Sequence, residues 1–233
     1  MIRIKPVTAA MVVLTILCGF SAIPLKASVP PQADPMGVVQ YGVKQVIAVF
    51  NNQQMPLNQR REKLRSMSSE YLDFVSMAKS ALGPHWRELS QSQRDEFVPL
   101  FADFIQDAYL SKLEQGTVEK VRQEATAAKV DFVRQAYFGH DYAEVYTTVK
   151  LQDQNDPLQV NFMMHRTDNG WRVYDLSIDA ISIVGNYRTQ FDRVINRSGY
   201  TVLVQDLKVK RQQLRTYMNQ EMRSSASPDV ESR

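Results

Sequence analysis

Apolar residues in the first half of the chain recur every three or four positions, which is the spacing of one face of an α-helix. A first helix is predicted from Asp34, an acidic cap residue followed by Pro35 in the first turn. A second helix is predicted from an Asn58 cap, and a third, shorter helix stops at Gly83-Pro84. The apolar face of the first helix contains Val39, Val43, Val46, Ile47 and Phe50.

A longer helix is predicted from Ser90-Gln91-Ser92-Gln93, which fits the S-x-x-Q capping box. In that motif the serine hydroxyl and the glutamine amide bind free backbone N–H groups at the start of the helix. The apolar face that follows is wider than attachment to a core requires. It contains Phe97, Leu100, Phe101, Phe104, Ile105, Ala108 and Leu113.

From Lys129 the apolar period changes to two residues, which is typical of β-strands. Turn residues at 139–141, 152–157 and 168–170 divide the region into the four strands of an antiparallel meander. Helical spacing then returns from 181 to 198 and again after Gly199. The sequence therefore predicts an α+β fold, with a four-stranded antiparallel sheet wrapped by helices from both ends of the chain. Such a sheet can enclose either a solid core or a lined cavity.

The first 27 residues have the pattern of a secretory signal peptide. Arg3 and Lys5 give a short basic start, and the apolar run 7–22 is too short to span a bilayer comfortably. Because Leu25-Lys26-Ala27 is an imperfect cleavage site, an uncleaved anchor is the alternative. Three further segments are predicted: a Pro-rich linker at 28–35, a domain at 36–222 and a disordered tail at 223–233.

The charge and the cysteine content both depend on this leader. The whole chain has 28 Lys and Arg against 25 Asp and Glu, and residues 1–27 hold three cations and no acid, so the remainder has 28 − 3 = 25 cations and is neutral. Neutrality disfavours nucleic acid as a partner. Cys18 is the only cysteine and follows Leu17, not a small residue, so lipidation there is not expected. The mature chain then has no disulfide, thiolate metal site or cysteine nucleophile, which suits a bacterial periplasm.

Catalytic chemistry has little support in the sequence. The histidines His85, His140 and His165 are not spaced as metal ligands, and there is no cysteine to complete a transition-metal site. The motifs of α/β-hydrolases, P-loop proteins and dinucleotide-binding proteins are absent from the sequence. His140-Asp141 is a candidate acid–base dyad, but these residue types favour a solvated hairpin turn.

Two other polar features favour structural roles. Asp175 lies among apolar residues of a strand, where a carboxylate paired with Arg188 or with backbone donors is more typical than a catalytic acid. The cationic run Lys208–Arg211 favours the solvated face of the last helix over a contact with nucleic acid or anionic lipid, because the mature chain is neutral.

Two blocks of residues carry a resemblance to a known family. They are Leu82-Gly83-Pro84-His85-Trp86-Arg87 with Ser90, Gln93, Phe97, Phe101 and Tyr109, and Trp171-Arg172-Val173-Tyr174-Asp175 with Ser182, Asn186-Tyr187-Arg188 and Phe191. In this order they resemble the MlaC family of periplasmic phospholipid-binding proteins, also called toluene-tolerance auxiliary proteins, over about residues 36–215. The chain departs from the family at His85, where an aromatic residue is usual, and at Ala180, where glycine is usual. The segment between Tyr109 and Val130 also looks longer than in the family.

The resemblance implies a nuclear-transport-factor-like sheet and an N-terminal helical subdomain that enclose a deep apolar pocket. The pocket takes phospholipid acyl chains and leaves the headgroup near solvent. The resemblance further implies a periplasmic protein without catalytic activity or cofactor, whose cargo is phospholipid. Its partners would be an outer-membrane lipoprotein–porin complex and an inner-membrane MCE-domain ABC transporter, with transient membrane proximity. Two alternatives remain open: a hopanoid-type lipid carrier of the same family, and an isomerase- or dehydratase-like enzyme on the same fold.

A lipid carrier must keep hydrocarbon away from water and still release it. Exposing about 30 methylenes at about 0.8 kcal/mol each would cost about 24 kcal/mol, so unaided crossing of the periplasm would be very slow. Large apolar side chains provide the necessary lining without chemistry. We therefore assign lipid binding to side chains of the long helix and the facing sheet, for which a plain core is the alternative: Phe101, Phe104, Ile105, Tyr109, Phe132, Val145, Val149, Val160, Phe162 and Val173.

Overall fold

The structure, a computed structural model, describes residues 33–52, 54–115, 129–151 and 156–226. The predicted signal peptide at 1–27 lies outside the described residues, as does the predicted linker up to residue 32. Residues 227–233 of the predicted tail also lie outside them. The predictions made for these segments therefore stay predictions.

The first two helices begin at prolines. Helix α1 (Pro35–Asn51) is capped by Asp34 as predicted, because its Oδ1 accepts a backbone N–H at 2.7 Å. Helix α2 (Leu57–Tyr71) begins directly after Pro56, so the predicted Asn58 cap is wrong. The fixed φ of proline positions the chain for a helix start, and no side-chain cap is present there.

The next helices end and begin where the sequence predicts. Helix α3 (Phe74–Leu82) ends at a glycine with φ +56°, which opens a 3₁₀ helix (Gly83–Glu88). Helix α4 (Gln91–Gln115) starts with the predicted capping box. The Ser90 N–H donates to Gln93 Oε1 at 2.8 Å, and the Gln93 N–H donates to Ser90 Oγ at 3.2 Å.

The sheet has five antiparallel strands in chain order, so the α+β class is confirmed and the prediction of four strands is wrong. The strands are β1 (Lys129–Phe138), β2 (Tyr142–Lys150), β3 (Leu158–Thr167), β4 (Gly170–Ile178) and β5 (Ile181–Ser182). The fifth strand has two residues, which is too short to show an alternating pattern. Both residues therefore fall within the helix that the spacing predicts from 181 to 198.

A two-residue turn at Asp179 (φ +46°) and Ala180 (φ +66°) connects β4 to β5, and Ile178 pairs with Ile181 across it. Alanine is strained in this left-handed region, whereas glycine is not. Ala180→Gly is therefore expected to raise the free energy of unfolding by about 0.5 kcal/mol, after allowing for the entropy that glycine adds to the unfolded chain. Urea unfolding measures this effect. Ala136→Gly, within β1, is the control and should lower the stability, and a similar loss for Ala180→Gly would contradict the prediction.

Two helices follow the sheet. Helix α5 (Ile183–Ser198) is capped by Ser182, and helix α6 (Tyr200–Ala226) extends four residues beyond the predicted domain limit at 222. Among the described helices, none is both long and apolar enough to cross a membrane.

The core lies between one face of the sheet and the helices that cover it. The side chains of Val145 and Val149 on β2 are buried in the same core as the α4 aromatics. Helix α4 packs against α5 through ring contacts, in which Phe101 lies 6.0 Å from Phe191 and Phe104 lies 5.7 Å from Tyr187 between ring centroids. This region is packed with buried aromatic and aliphatic side chains.

Candidate functional site

A cavity of about 180 Å³ lies between helices α1, α2 and α4 and strands β3 and β4. The α1 wall consists of Val38, Val39, Gly42, Val43 and Val46. The wall formed by α2 and the start of α3 consists of Leu64, Arg65, Met67, Ser68, Tyr71, Leu72 and Phe74. The remaining wall consists of Ile105, Gln106, Tyr109, Leu110, Phe162, Val173 and Leu176. Most of these side chains are apolar, so the cavity suits hydrocarbon better than a polar substrate.

Helices α1 and α2 approach each other closely where Gly42 faces Tyr71. A β-carbon on Gly42 would lie only 3.0 Å from the Tyr71 ring. Glycine therefore allows the ring to pack against α1 and close this part of the cavity wall.

The polar side chains of the lining bind one another. Gln106 Oε1 accepts a hydrogen bond from Arg65 at 2.9 Å, and Gln106 Nε2 donates to Ser68 Oγ at 2.8 Å. Arg65 also pairs with Asp107, whose side chain is fully buried. Arg211 on α6 binds the other oxygen of Asp107 at 3.2 Å. This network ties α2 to α4 and α6 beside the cavity.

The lining has little net charge. Among the described lining residues Arg65 alone has a permanent charge, and the Asp107 carboxylate neutralises it. Burial raises the pKa of Tyr71 and of Tyr109, so both phenols are neutral at physiological pH. The described lining therefore offers apolar surface and neutral hydroxyls.

Four of the ten residues assigned to lipid binding line this cavity: Ile105, Tyr109, Phe162 and Val173. The other six lie outside its lining. Of these, Phe132 is partly buried, and the fully buried ones are Phe101, Phe104, Val145, Val149 and Val160. The two phenylalanines on α4 face the aromatic rings of α5 instead of the cavity. That these ten residues bind lipid stays a prediction.

The sequence does not reveal that α1 and α2 form walls of the cavity. Its spacing predicts the apolar face of α1 that includes Val39, Val43 and Val46. Periodicity shows only that a face is buried, and it does not show which part of the protein covers that face. Helix α2 is mostly polar, so Leu64 and Met67 produce only a weak signal. Both walls are completed by tertiary packing.

The histidines considered for catalysis lie away from the described lining. His140 is exposed in the turn between β1 and β2, as the sequence predicts. His165 Nε2 lies 2.7 Å from Asp73 Oδ2, and the Asp73 side chain caps α3. Neither histidine faces the cavity where a substrate would bind.

Asp175 has the structural role that the sequence favours. Its carboxylate accepts hydrogen bonds from the N–H groups of Leu176 at 2.8 Å and Val184 at 3.0 Å. The Ser182 hydroxyl donates a third at 2.5 Å. Backbone donors and a serine therefore satisfy this buried acid and fix the connection from β4 to α5, in place of the Arg188 pair also considered.

Acid should weaken the contact between Asp73 and His165. Burial raises the pKa of Asp73, but hydrogen bonds from Ser76 and the contact with His165 outweigh that effect and hold the pKa below its usual value. Because the pKa of Asp73 is lower in the folded state, its carboxylate stabilises the fold at pH values above the pKa of the unfolded state. This stabilisation is lost as the pH falls through the pKa of the folded state. We expect Asp73→Asn, which keeps a capping oxygen, to show a shallower fall of Tm between about pH 5 and about pH 3. The control is Asp156→Asn in an exposed loop, and equal slopes for wild type and Asp73→Asn would contradict the assignment.

The cationic run on α6 is only partly the solvated face that the sequence predicts. Lys208 is half exposed and pairs with Glu96 at 2.7 Å. Arg211 is more buried and pairs with Asp103 and Asp107. The run therefore helps to hold α6 on α4. In the part of the chain that the structure describes, no cluster of histidine, cysteine or acidic side chains could hold a metal ion.

Comparison with known proteins identifies the family. No curated protein matches the chain. Among solved structures, it is similar to the phospholipid-binding protein from Ralstonia solanacearum, determined in complex with a phospholipid. The TM-score is 0.63 and the sequence identity 22%, over 78% of this chain and 99% of that chain, which shows a shared fold. The model of the MlaC protein family matches residues 40–209, well over half of the 233 residues. The chain therefore belongs to the MlaC family, as its two blocks of characteristic residues predict.

Proposed function

We propose that the protein is a periplasmic carrier that holds phospholipid acyl chains in the cavity between α1, α2, α4 and the sheet. The observation that carries this proposal is an apolar cavity in a chain of the MlaC family. A similar structure described as a phospholipid-binding protein in complex with a phospholipid supports the same cargo. The nuclear-transport-factor-like form of the pocket, which the family resemblance implies, is part of this proposal. Family and cavity point to a binding or transport protein and not to an enzyme.

The cavity must widen to accept its cargo. Sites for drug-sized ligands usually measure about 300–1,000 Å³, and this one measures about 180 Å³. Helix α2 is the wall best suited to move, because polar contacts from Arg65 and Ser68 to Gln106 hold it on α4. Water that enters as α2 moves outward can solvate these groups and the paired Arg65 and Asp107. Opening the aromatic packing of α4 on α5 would instead expose large apolar rings to water. Outward movement of α2 would let acyl chains enter along α1 and β3.

A carrier of this kind must bind lipid about as well as a bilayer does. A cavity lined by valine, leucine and phenylalanine replaces the hydrocarbon environment, and it adds few polar contacts that would slow release. The alternative of a hopanoid cargo places a polycyclic hydrocarbon in the same lining.

The proposed route runs between an outer-membrane lipoprotein–porin complex and an inner-membrane MCE-domain ABC transporter. The predicted signal peptide at 1–27 supports export to the periplasm. The neutral charge of the remaining chain supports transient contacts, because a strongly cationic carrier would be held on anionic lipid surfaces.

Mass spectrometry of copurifying lipid tests this function. The full chain is expressed in bacteria, recovered from the periplasmic fraction and extracted with organic solvent. We expect about one phospholipid per chain, and uptake of labelled phospholipid from vesicles once the protein has been stripped of lipid. A protein that contains no lipid and takes up none would overturn the proposal. A hopanoid in place of phospholipid would change the cargo but keep the carrier.

A further inference from the structure

A second groove, of about 480 Å³, lies at the end of the sheet where the β1–β2 and β3–β4 hairpins turn. Among the described residues, none lines both this groove and the apolar cavity. His140 lies in the first turn, and Arg166 and Asp168 lie at the second. Tyr137 and Trp171 form an aromatic wall, with ring centroids 6.0 Å apart at an interplanar angle of 61°.

The charged groups of this groove are available to a ligand. Arg166 and Asp168 are exposed, and within the described residues neither side chain has an ion pair or a hydrogen bond. Asp34, by contrast, is occupied, because its two oxygens accept from the N–H of α1 at 2.7 Å and from Gln135 Nε2 at 2.9 Å. The groove therefore offers one free cation and one free anion beside exposed aromatic surface.

We propose that this groove binds the zwitterionic headgroup of a membrane phospholipid and docks the protein on the bilayer by this end. A guanidinium is well suited to phosphate, so Arg166 takes the phosphate, with His140 beside it. Aromatic faces attract ammonium groups, so Tyr137 and Trp171 hold the ammonium and Asp168 balances its charge. An anionic headgroup without an ammonium would leave Asp168 opposed by a second negative charge.

The surroundings of the groove fit a bilayer surface. Phe138 and Tyr142 lie next to it on the hairpin, exposed to 56% and 51%, and aromatic side chains of this kind favour the membrane interface. These exposed aromatic side chains place the membrane-facing end of the molecule at the hairpin turns. The site is additional to the lipid cavity and does not depend on the function proposed for it.

Vesicle cosedimentation tests the docking site. The protein from the periplasmic fraction is titrated with phosphatidylcholine vesicles and with phosphatidylglycerol vesicles. We expect binding to phosphatidylcholine that Arg166→Gln and Asp168→Asn each weaken about tenfold, and weaker binding to phosphatidylglycerol. Arg193→Gln removes an exposed cation of α5 far from the turns in sequence, and it should bind like wild type. Thermal unfolding checks that every variant is folded.

Three outcomes would overturn the proposal: no binding to phosphatidylcholine vesicles, unchanged binding by either groove variant, or equal binding to phosphatidylglycerol vesicles. The cavity variant Val43→Trp separates this site from the carrier function. It should bind vesicles like wild type even where it has lost its copurifying lipid.

Discussion

Replacing Val43 with tryptophan should lower the amount of copurifying lipid about tenfold. Val43 lies on α1 and lines the cavity of about 180 Å³, so an indole at this position occupies space that an acyl chain would need. Overpacking a filled core lowers the free energy of unfolding by about 1–3 kcal/mol. Because Val43 lies beside an existing cavity, we expect a loss near the lower limit of this range. The measurement is lipid phosphorus per mole of purified protein, together with uptake of labelled phospholipid from vesicles.

Val209→Trp is the matched control for this substitution. Val209 is 46% exposed on α6 and lies outside the described cavity lining, so the same change there should leave lipid content and Tm unchanged. A folded Val43→Trp protein that still contained one lipid per chain would show that the acyl chains bind elsewhere. If both variants lost lipid equally, the effect would not belong to the cavity.

Local signals account for the features that the sequence predicts correctly. The Asp34 cap and the pairing of Ser90 with Gln93 depend on residues within one helical turn, and both are present in the structure. The change of period at Lys129 likewise needs only neighbouring residues. The two-residue strand β5 is missed because it has no period, and its turn contains Ala180 where glycine would have been a signal.

The cavity itself could be predicted only in part, because it depends on how helices meet. Phe101 and Phe104 have the same apolar character and helical spacing as Ile105, yet the rings of α5 cover the first two and only Ile105 reaches the cavity. Likewise, the spacing of Val43 predicts burial without distinguishing a core from a lining. The resemblance to the MlaC family indicates that a pocket exists, but packing determines which residues form it.

Breaking the buried ion pair beside the cavity should have the largest effect on stability. Asp107 is fully buried and pairs with Arg65 and Arg211. Arg65→Met leaves one side of this carboxylate without a cation, and losing one partner of a buried pair costs about 3–5 kcal/mol. Because Arg211 remains, we expect a loss near 3 kcal/mol in the free energy of unfolding, measured by urea titration. Lys208→Met is the control: its pair with Glu96 is half exposed, so removing it should cost less than about 1 kcal/mol.

A combined variant identifies the cause of that loss. Arg65→Met together with Arg211→Met and Asp107→Leu removes the buried charge as well as its partners. Apolar replacement of a buried ion network is often neutral, so this variant should recover most of the stability lost in Arg65→Met alone. If it recovers none, the loss comes from packing of the Arg65 side chain between α2 and α4 and not from an uncompensated charge. Recovery would mean that the loss in Arg65→Met comes from the uncompensated charge of Asp107, and that the complete network adds little net stability to the contact of α2 with α4.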